Sequence, residues 1–289
     1  MECVKAKGTK TALFLEKISV LRPSSLRTTR QPLFYHGHMI GWVAAEIAMH
    51  IPQEAGHATL QKGVHIAGHH RLTEIGEILS QKQLFRCFNE LFDVFTLDGH
   101  VLGQIDRGAL PLLGMAARGV HMNGIVMRDN QCLLWVGHRA ADKRLDPGKL
   151  DHLAAGGVPA GLSPFDTMIK EAAEEAGIPA SLSHQAQQVG LLNYVQNRPE
   201  GLRRDTLYCY DLFLPEDFTP RPVDGEVTRF ELMKLKTVLD LVRDTDKFKF
   251  NVNLVLIDFF IRHGLFTPHE AREIGAVLYQ DIKLEPVTP

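Results

Sequence analysis

The stretch GGVPAGLSPFDTMIKEAAEEAGI, residues 156–178, decides how the surrounding chain is expected to fold. Its Ser163-Pro164 pair predicts a helix start, because serine caps helix N-termini and proline suits the first helical position. The helix is predicted to end near Gly177, since glycine adopts the left-handed conformation that closes many helices. The stretch therefore predicts a glycine-rich loop that leads directly into one central helix.

Three glutamates of this helix, Glu171, Glu174 and Glu175, fall within an arc of about 100° at roughly 100° per residue. Carboxylates so close together repel one another, and a hard divalent cation turns that repulsion into binding because Mg²⁺ prefers oxygen ligands. A solvated acidic face is the common alternative for an isolated E-x-x-E-E. The glycine-rich loop favours the metal site, because it lets the backbone pass close to a ligand.

Strand-like segments flank this helix on both sides. GVHMNGIVM and QCLLWVGHR precede it and are joined by Arg128-Asp129-Asn130, which predicts a hairpin. VGLLNYV, TLYCYDLFL and VTRFELM follow it, and two helices are expected to close the chain, the last with a capping box at Thr267-Pro268-His269-Glu270. Strands interrupted by one central helix and followed by others predict an α/β fold, an α/β/α sandwich with a mixed sheet.

The first part of the chain has a different pattern. IGWVAAEIAMHI resembles a strand that runs into a short helix, and LFDVFTLDGHVLGQI alternates around the turn Asp98-Gly99 as a hairpin does. A change of composition near residue 115 predicts two domains. Residues 1–115 would form a smaller α+β domain that covers the substrate or is structural, and residues 116–289 would form the catalytic domain.

Composition limits the partners of the protein. Its 289 residues carry a formal net charge of −2, so no strong electrostatic field attracts nucleic acid or an anionic membrane. The apolar run Leu254–Ile261 is too short to span a bilayer. Four scattered cysteines without a C-x-x-C pair favour free thiols in a reducing compartment. We predict a small-molecule substrate and no nucleic-acid or membrane partner, and the sequence leaves the oligomeric state open.

The N-terminus allows two interpretations. Residues 1–30 hold seven lysines and arginines against Glu2 and Glu16, a bias that loosely resembles a transit peptide. TALFLEKISVL within the same segment has the spacing of an amphipathic helix, as the first helix of a domain would. We favour the helix and therefore expect a cytoplasmic protein.

The central stretch resembles the Nudix box, G-x5-E-x7-R-E-U-x-E-E-x-G-U, where U is aliphatic. The residues that match their motif positions are Gly156, Glu171, Glu174, Glu175, Gly177 and Ile178. Two positions depart: Leu162 replaces the first glutamate, and Lys170 replaces the arginine. Lysine keeps the positive charge but lacks the bidentate fork of arginine. The resemblance therefore implies a Mg²⁺ or Mn²⁺ site, held by Glu171, Glu174 and Glu175, with fewer supporting contacts.

The resemblance extends to most of the chain. GVHMNGIV, YDLFLPEDFTPRPVDGEVTRFELM, FKFNVNLVLIDFFIRHG and, earlier, GHMIGWV look like a Nudix subfamily that has an extra N-terminal domain and is described as thiamine-pyrophosphokinase-related. Membership implies hydrolysis of thiamine diphosphate or its oxidised analogues to the monophosphate. The family usually has FKPN where this chain has FKFN, so the chain departs from the family pattern at Phe250.

Residues outside the box complete the predicted site. Glu226 follows the turn Asp224-Gly225 and precedes a strand, a position from which Nudix enzymes often bring a further glutamate to the metals. We predict Glu171, Glu174 and Glu226 as catalytic residues, with Glu226 as general base or auxiliary ligand; the alternative is a simple turn residue. The predicted substrate-binding residues, which would clamp a diphosphate or approach it closely, are Arg139, Lys143, Lys149, Gly156 and Gly157.

Two alternatives remain open at this point. A Nudix hydrolase of another diphosphate, such as ADP-ribose or a dinucleotide, would share every motif. A non-catalytic diphosphate-binding regulator on the same scaffold is favoured only by Leu162 and opposed by the intact glutamates. No Ser-His-Asp arrangement, P-loop or dinucleotide fingerprint is present in the sequence.

Overall fold

The computed structural model describes residues 10–22, 25–53, 62–96 and 98–286. In chain order the elements are α1 (Lys10–Leu21), β1 (Ser25–Thr28), β2 (Gln31–Tyr35), β3 (His38–Val43), α2 (Ala45–Ala48), β4 (Val64–His65), α3 (Leu72–Gln81), β5 (Leu91–Phe95), β6 (Val101–Asp106), α4 (Ala109–Leu112), β7 (Ala116–Arg128), β8 (Gln131–Arg139), β9 (Leu150–Asp151), β10 (Ala154–Gly157), α5 (Pro164–Ala176), α6 (Ala180–Ser183), β11 (Gln187–Arg198), β12 (Gly201–Phe213), β13 (Val227–Lys234), α7 (Leu235–Asp244), α8 (Val252–Arg262), α9 (Pro268–Leu278) and β14 (Lys283–Pro286).

The central sheet is mixed, as predicted. Its strand order is β11-β12-β7-β8-β13, and β10 and β9 pair with β7 and β8 respectively. The β12–β7 pair is parallel, and the other neighbouring strands are antiparallel. The β7–β8 hairpin turns at Asp129 and Asn130, both with positive φ (50° and 59°). Two positive φ values in succession suit a two-residue hairpin loop, and Asp and Asn tolerate them better than most residues.

Side chains of the sheet alternate between two helical layers. Val120 and Met122 of β7 pack in the core that contains Met168 of α5. Ile125 of the same strand points the other way, into the core that contains Phe260 of α8. This two-residue period is the geometry of a strand buried on both faces. The predicted α/β/α sandwich is therefore confirmed.

The first helix belongs to the layer of the C-terminal helices. Phe14, Ile18 and Leu21 of α1 are buried in one core with Phe260 and Ile274. β1 also pairs in parallel with β14. The two-domain division at residues 1–115 and 116–289 stays a prediction, and a fragment that begins at residue 116 would lack this helix.

The remaining N-terminal elements form a second core. A three-stranded sheet, β3-β2-β4, and the hairpin β5–β6 surround buried side chains such as Leu33, Ile75 and Phe92. This region supports the glycine-rich loop after β10, because the Ala160 N–H donates to the Leu91 carbonyl at 2.8 Å. A Cβ added at Gly157 would lie 2.5 Å from the Phe92 ring, so this glycine allows the two parts to pack closely.

Two features differ from the sequence prediction. The structure places three helices after β13 instead of two, because α7 begins immediately where β13 ends. The β1–β14 pairing was also not predicted. Among the described residues, no helix combines the length and apolar character needed to cross a membrane.

Candidate active site

Helix α5 begins and ends where the sequence predicts. The Ser163 hydroxyl oxygen accepts a hydrogen bond from the Asp166 N–H at 3.1 Å, and Pro164 occupies the first turn. Gly177 closes the helix with a left-handed φ of 63°. Met168 and Ala172 are fully buried against the sheet, which fixes the rotation of the helix. Glu171 and Glu175 are thereby directed toward β10.

Glu175 is the buried carboxylate of the site. Its Oε2 atom accepts a hydrogen bond from the Ala155 N–H of β10 at 2.8 Å. Burial raises the pKa of Glu175 well above its usual value, and the nearby charge of Asp151 raises it further. An ionised carboxylate at this position needs a positive charge beside it, because burial penalises the charged form. A divalent cation would supply that charge, so this residue fits a metal ligand.

Glu171 lies across Gly156. A Cβ added at position 156 would be 2.3 Å from the Glu171 Cδ atom, so only glycine leaves room for this carboxylate. Burial raises the pKa of Glu171, and the charges of Glu174 and Glu226 raise it further. Gly156 therefore leaves the space that the Glu171 carboxyl of α5 occupies.

We expect Gly156→Ala to lower kcat about tenfold and to cost about 1–3 kcal/mol of folding stability, because the added methyl group overpacks against the Glu171 carboxyl. Thermal unfolding and steady-state kinetics measure the two effects. Gly190→Ala is the matched control, since a Cβ there would meet Asp258 at an ordinary 3.8 Å. Equal kcat in Gly156→Ala and Gly190→Ala would contradict this account of Gly156.

The loop before β13 brings further carboxylates to Glu175. Oxygen atoms of Glu175, Asp224 and Glu226 all lie within 4.8 Å of one another. The Glu226 N–H donates to Asp224 Oδ1 at 2.8 Å, which fixes the turn. Lys143 Nζ lies 2.5 Å from Glu226 Oε2. Glu226 was predicted as a site residue, whereas Asp224 was expected only to form the turn. The acidic spacing of D-G-E was the signal that marks both residues.

Glu174 is the most exposed of the three glutamates, with 52% of its side chain accessible. Lys170 Nζ lies 2.7 Å from Glu174 and 3.4 Å from Glu171, so the lysine connects two acids of its own helix. Leu162 is exposed and makes no charged contact in place of the missing acid. The two departures from the box thus leave the helix with a lysine-centred ion pair.

The predicted basic clamp is divided by the structure. Arg139 is half-buried, donates to Asp151 Oδ2 at 2.7 Å and also donates to two loop carbonyl oxygens. Lys149 lies 3.5 Å from Asp146. Of the three predicted cations, Lys143 is the one that contacts the acidic cluster. The contacts of Arg139 are internal, so its proposed role at the substrate competes with a structural one.

A buried polar cluster lies next to Glu175 and was not predicted. His121 Nδ1 and His152 Nδ1 are 3.0 Å apart. Burial lowers the pKa of both histidines, that of His152 to about 4, so both rings are neutral at pH 7. Burial acts to raise the pKa of Asp151, but Lys249 and Arg139 outweigh it and hold the pKa well below its usual range. These two cations compensate Asp151, which suits a structural support beneath the site.

Comparison with known proteins identifies the domain. The NUDIX domain model matches residues 117–252. "Nudix hydrolase 20, chloroplastic" of Arabidopsis thaliana is 43% identical over 196 residues, which cover 68% of this chain and 52% of that protein. "Nudix hydrolase 24, chloroplastic" of the same plant is 44% identical over 181 residues, covering 62% and 50%.

The chain spans about half the length of the curated relatives it matches. Among solved structures, DR0079 from Deinococcus radiodurans is similar with a TM-score of 0.47 and 20% identity, covering 58% of this chain and 97% of that one. The domain match and the two plant relatives agree with the fold and with the acidic helix described above. On this evidence, the chain contains a NUDIX domain at residues 117–252 and is similar to two plant Nudix hydrolases.

Proposed function

We propose that this protein is a divalent-metal-dependent hydrolase that cuts the diphosphate linkage of a small molecule. The observation that carries the proposal is the convergence of Glu175, Asp224 and Glu226 beside strand β10, where the Glu171 carboxyl packs against Gly156. A solvated acidic face would leave such groups apart and exposed. Here the three carboxylates come from helix α5 and from the loop before β13, and Glu175 is buried.

The predicted ligands Glu171, Glu174 and Glu175, with Asp224 and Glu226 beside them, would hold Mg²⁺ or Mn²⁺, because hard cations prefer carboxylate oxygens. A bound metal would polarise phosphoryl oxygens, lower the pKa of a water and neutralise charge on the leaving phosphate. The buried position of Glu175 excludes bulk water from one side of this site.

The remaining steps fall to side chains of the chain itself. Lys143, and Lys149 on the same loop, would bind phosphate oxygens through charge-assisted hydrogen bonds. Lys143 pairs with Glu226 in the structure, and a bound phosphate would compete for that lysine. Glu226 would then accept the proton of the water whose oxygen attacks phosphorus as the anhydride bond breaks. Gly156 would keep β10 close to the reacting groups.

Thiamine diphosphate, or its oxidised analogues, is our proposed substrate, with the monophosphate as product. This choice rests on the sequence resemblance alone. ADP-ribose and dinucleotides are equally compatible with the acidic cluster. A regulator without turnover is favoured only by Leu162 and opposed by the intact Glu171, Glu174 and Glu175. We also propose a cytoplasmic location, although both plant relatives are named as chloroplastic; imaging of the tagged chain tests it.

A substrate panel tests the proposed function. The purified full chain is incubated with thiamine diphosphate, its oxidised analogues, ADP-ribose and a dinucleotide, and products are measured by mass spectrometry. We expect hydrolysis only with Mg²⁺ or Mn²⁺, loss of activity in EDTA, and the highest kcat/KM for the oxidised thiamine diphosphates. A site that hydrogen-bonds a substrate carbonyl can discriminate strongly against an analogue that lacks it.

Three results of this substrate panel would each contradict a different part of the proposal. Full activity in EDTA would rule out the metal-dependent mechanism. A clear preference for ADP-ribose would replace the proposed substrate but keep the reaction. Metal-dependent binding of every diphosphate without any turnover would favour the regulator.

A further inference from the structure

A cavity of about 200 Å³ lies between the N-terminal core and the central sheet. Met39, Phe95 and Thr96 line it from the N-terminal side, and Arg118, Arg204 and Thr206 line it from β7 and β12. The parallel register places Arg118 beside Thr206 and Arg204 beside Ala116, so these side chains share one face of the sheet. The cavity is smaller than a typical site for a drug-sized ligand, and it suits a small charged group.

Both arginines of this cavity lack a carboxylate partner within the described ranges. The Arg118 guanidinium lies 3.4 Å from the centroid of the Phe95 ring, which orients it. Arg204 donates to the Gly114 carbonyl oxygen at 3.1 Å. Burial lowers the pKa of Arg204, and no neighbouring acid opposes that effect. Both arginines are half-buried, and cations withdrawn from water are ordinarily paired, so two guanidinium groups without a carboxylate partner call for an anion.

Charged residues close to the cavity, in contrast to Arg118 and Arg204, have partners of opposite charge. Arg203, on the opposite face of β12, has the usual acidic partners, Glu200 at 2.8 Å and Asp205 at 3.4 Å. Asp98, on the N-terminal side of the cavity, is exposed and pairs with His100 at 3.4 Å. Acidic residues therefore neutralise the charge of Arg203 on the opposite face of β12, whereas the cavity stays positively charged.

We propose that this cavity is an anion-binding site that takes a phosphate group, with Arg118 and Arg204 as its ligands. Guanidinium groups suit this role because their planar N–H donors match phosphate oxygens in pairs. Two sources of the phosphate fit this chemistry: a second phosphate of the substrate, or a separate phosphate-bearing ligand. Arg118 is two residues along β7 from Val120, which pairs with Gly156, so the cavity begins about 7 Å along the strand from the acidic site.

Calorimetric titration with inorganic phosphate tests the proposal on the full chain in EDTA, where metal-dependent binding is absent. We expect the wild-type chain to bind one phosphate. Arg204→Met and Arg118→Met should each weaken binding about tenfold or more, because a charged hydrogen bond is lost. Arg128→Met is the matched control: Arg128 is on the same strand but pairs with Glu216 at the surface. It should bind phosphate as the wild type does.

Absence of phosphate binding by the wild type, or equal binding by wild type and both cavity variants, would overturn the proposal. Thermal melts establish that each variant is folded, and Arg118→Met decides the test if Arg204→Met unfolds. Kinetics then distinguish the two sources. A tenfold higher KM for the hydrolysed diphosphate with unchanged kcat assigns the site to the substrate, whereas unchanged KM with lost phosphate binding assigns it to a separate ligand. The calorimetric titration needs no turnover, so its result does not depend on whether the proposed hydrolysis is correct.

Discussion

Glu175→Gln is expected to lower kcat by about 10³-fold or more while the protein stays folded. The amide oxygen can still accept the hydrogen bond from the Ala155 N–H, so the shape of the site is kept. What is lost is the negative charge of the most buried carboxylate in the cluster. Charge stabilisation by a bound metal is worth several kcal/mol, and each 1.36 kcal/mol corresponds to a factor of ten.

Stability measurements separate loss of charge from loss of structure. The folded-state pKa of Glu175 is raised, so the protonated form contributes stability at low pH that is lost as pH rises through that pKa. The glutamine side chain does not ionise, so the variant does not lose this stability as pH rises. In EDTA at pH 8 the variant should therefore melt at the same temperature as the wild type or higher. A folded variant that turns over within about threefold of the wild type would remove Glu175 from the mechanism.

Glu226→Gln is expected to lower kcat by about 10²–10⁴-fold if this residue is the general base, with little change in KM. The alternative role is that of an auxiliary metal ligand, as its closeness to Glu175 and Asp224 suggests. In that case more metal would be needed for half-maximal rate, and extra Mn²⁺ would partly restore activity. A titration of rate against Mn²⁺ concentration distinguishes the two roles.

Glu231→Gln provides the control for this experiment. Glu231 is on the same strand, β13, and pairs with His138 and Arg229 away from the acidic cluster. Its loss should leave both kcat and the metal requirement unchanged. If Glu226→Gln behaves in the same way, Glu226 is only a turn residue, and the base must be sought among the glutamates of α5.

The parts of the fold that the sequence predicts well are those in which local signals agree. Ser163, Pro164 and Gly177 each favour the same helix bounds, and the structure has them there. The two-residue turn at Asp129 and Asn130 likewise follows from residues that tolerate positive φ. Helix α7 was missed because it follows β13 without an intervening turn, so no local signal separates the two elements.

The parts of the site that depend on distant contacts were harder to predict. Asp224 resembles a turn residue in the sequence, and only the folded chain brings it beside Glu175. Arg139 carries the positive charge expected of a phosphate-binding residue, yet Asp151 is close enough to pair with it. Spacing along a helix fixes which glutamates share a face, but the partners of loop residues depend on tertiary packing.

The packing of α1 also has a consequence for how the chain folds during synthesis. This helix leaves the ribosome well before α8 and α9, yet its partners in the core include residues of both helices. Contacts between such distant segments slow folding, and the surfaces that await them expose apolar side chains in the meantime. The contacts of α1 with α8 and α9 can therefore form only after these two helices have emerged.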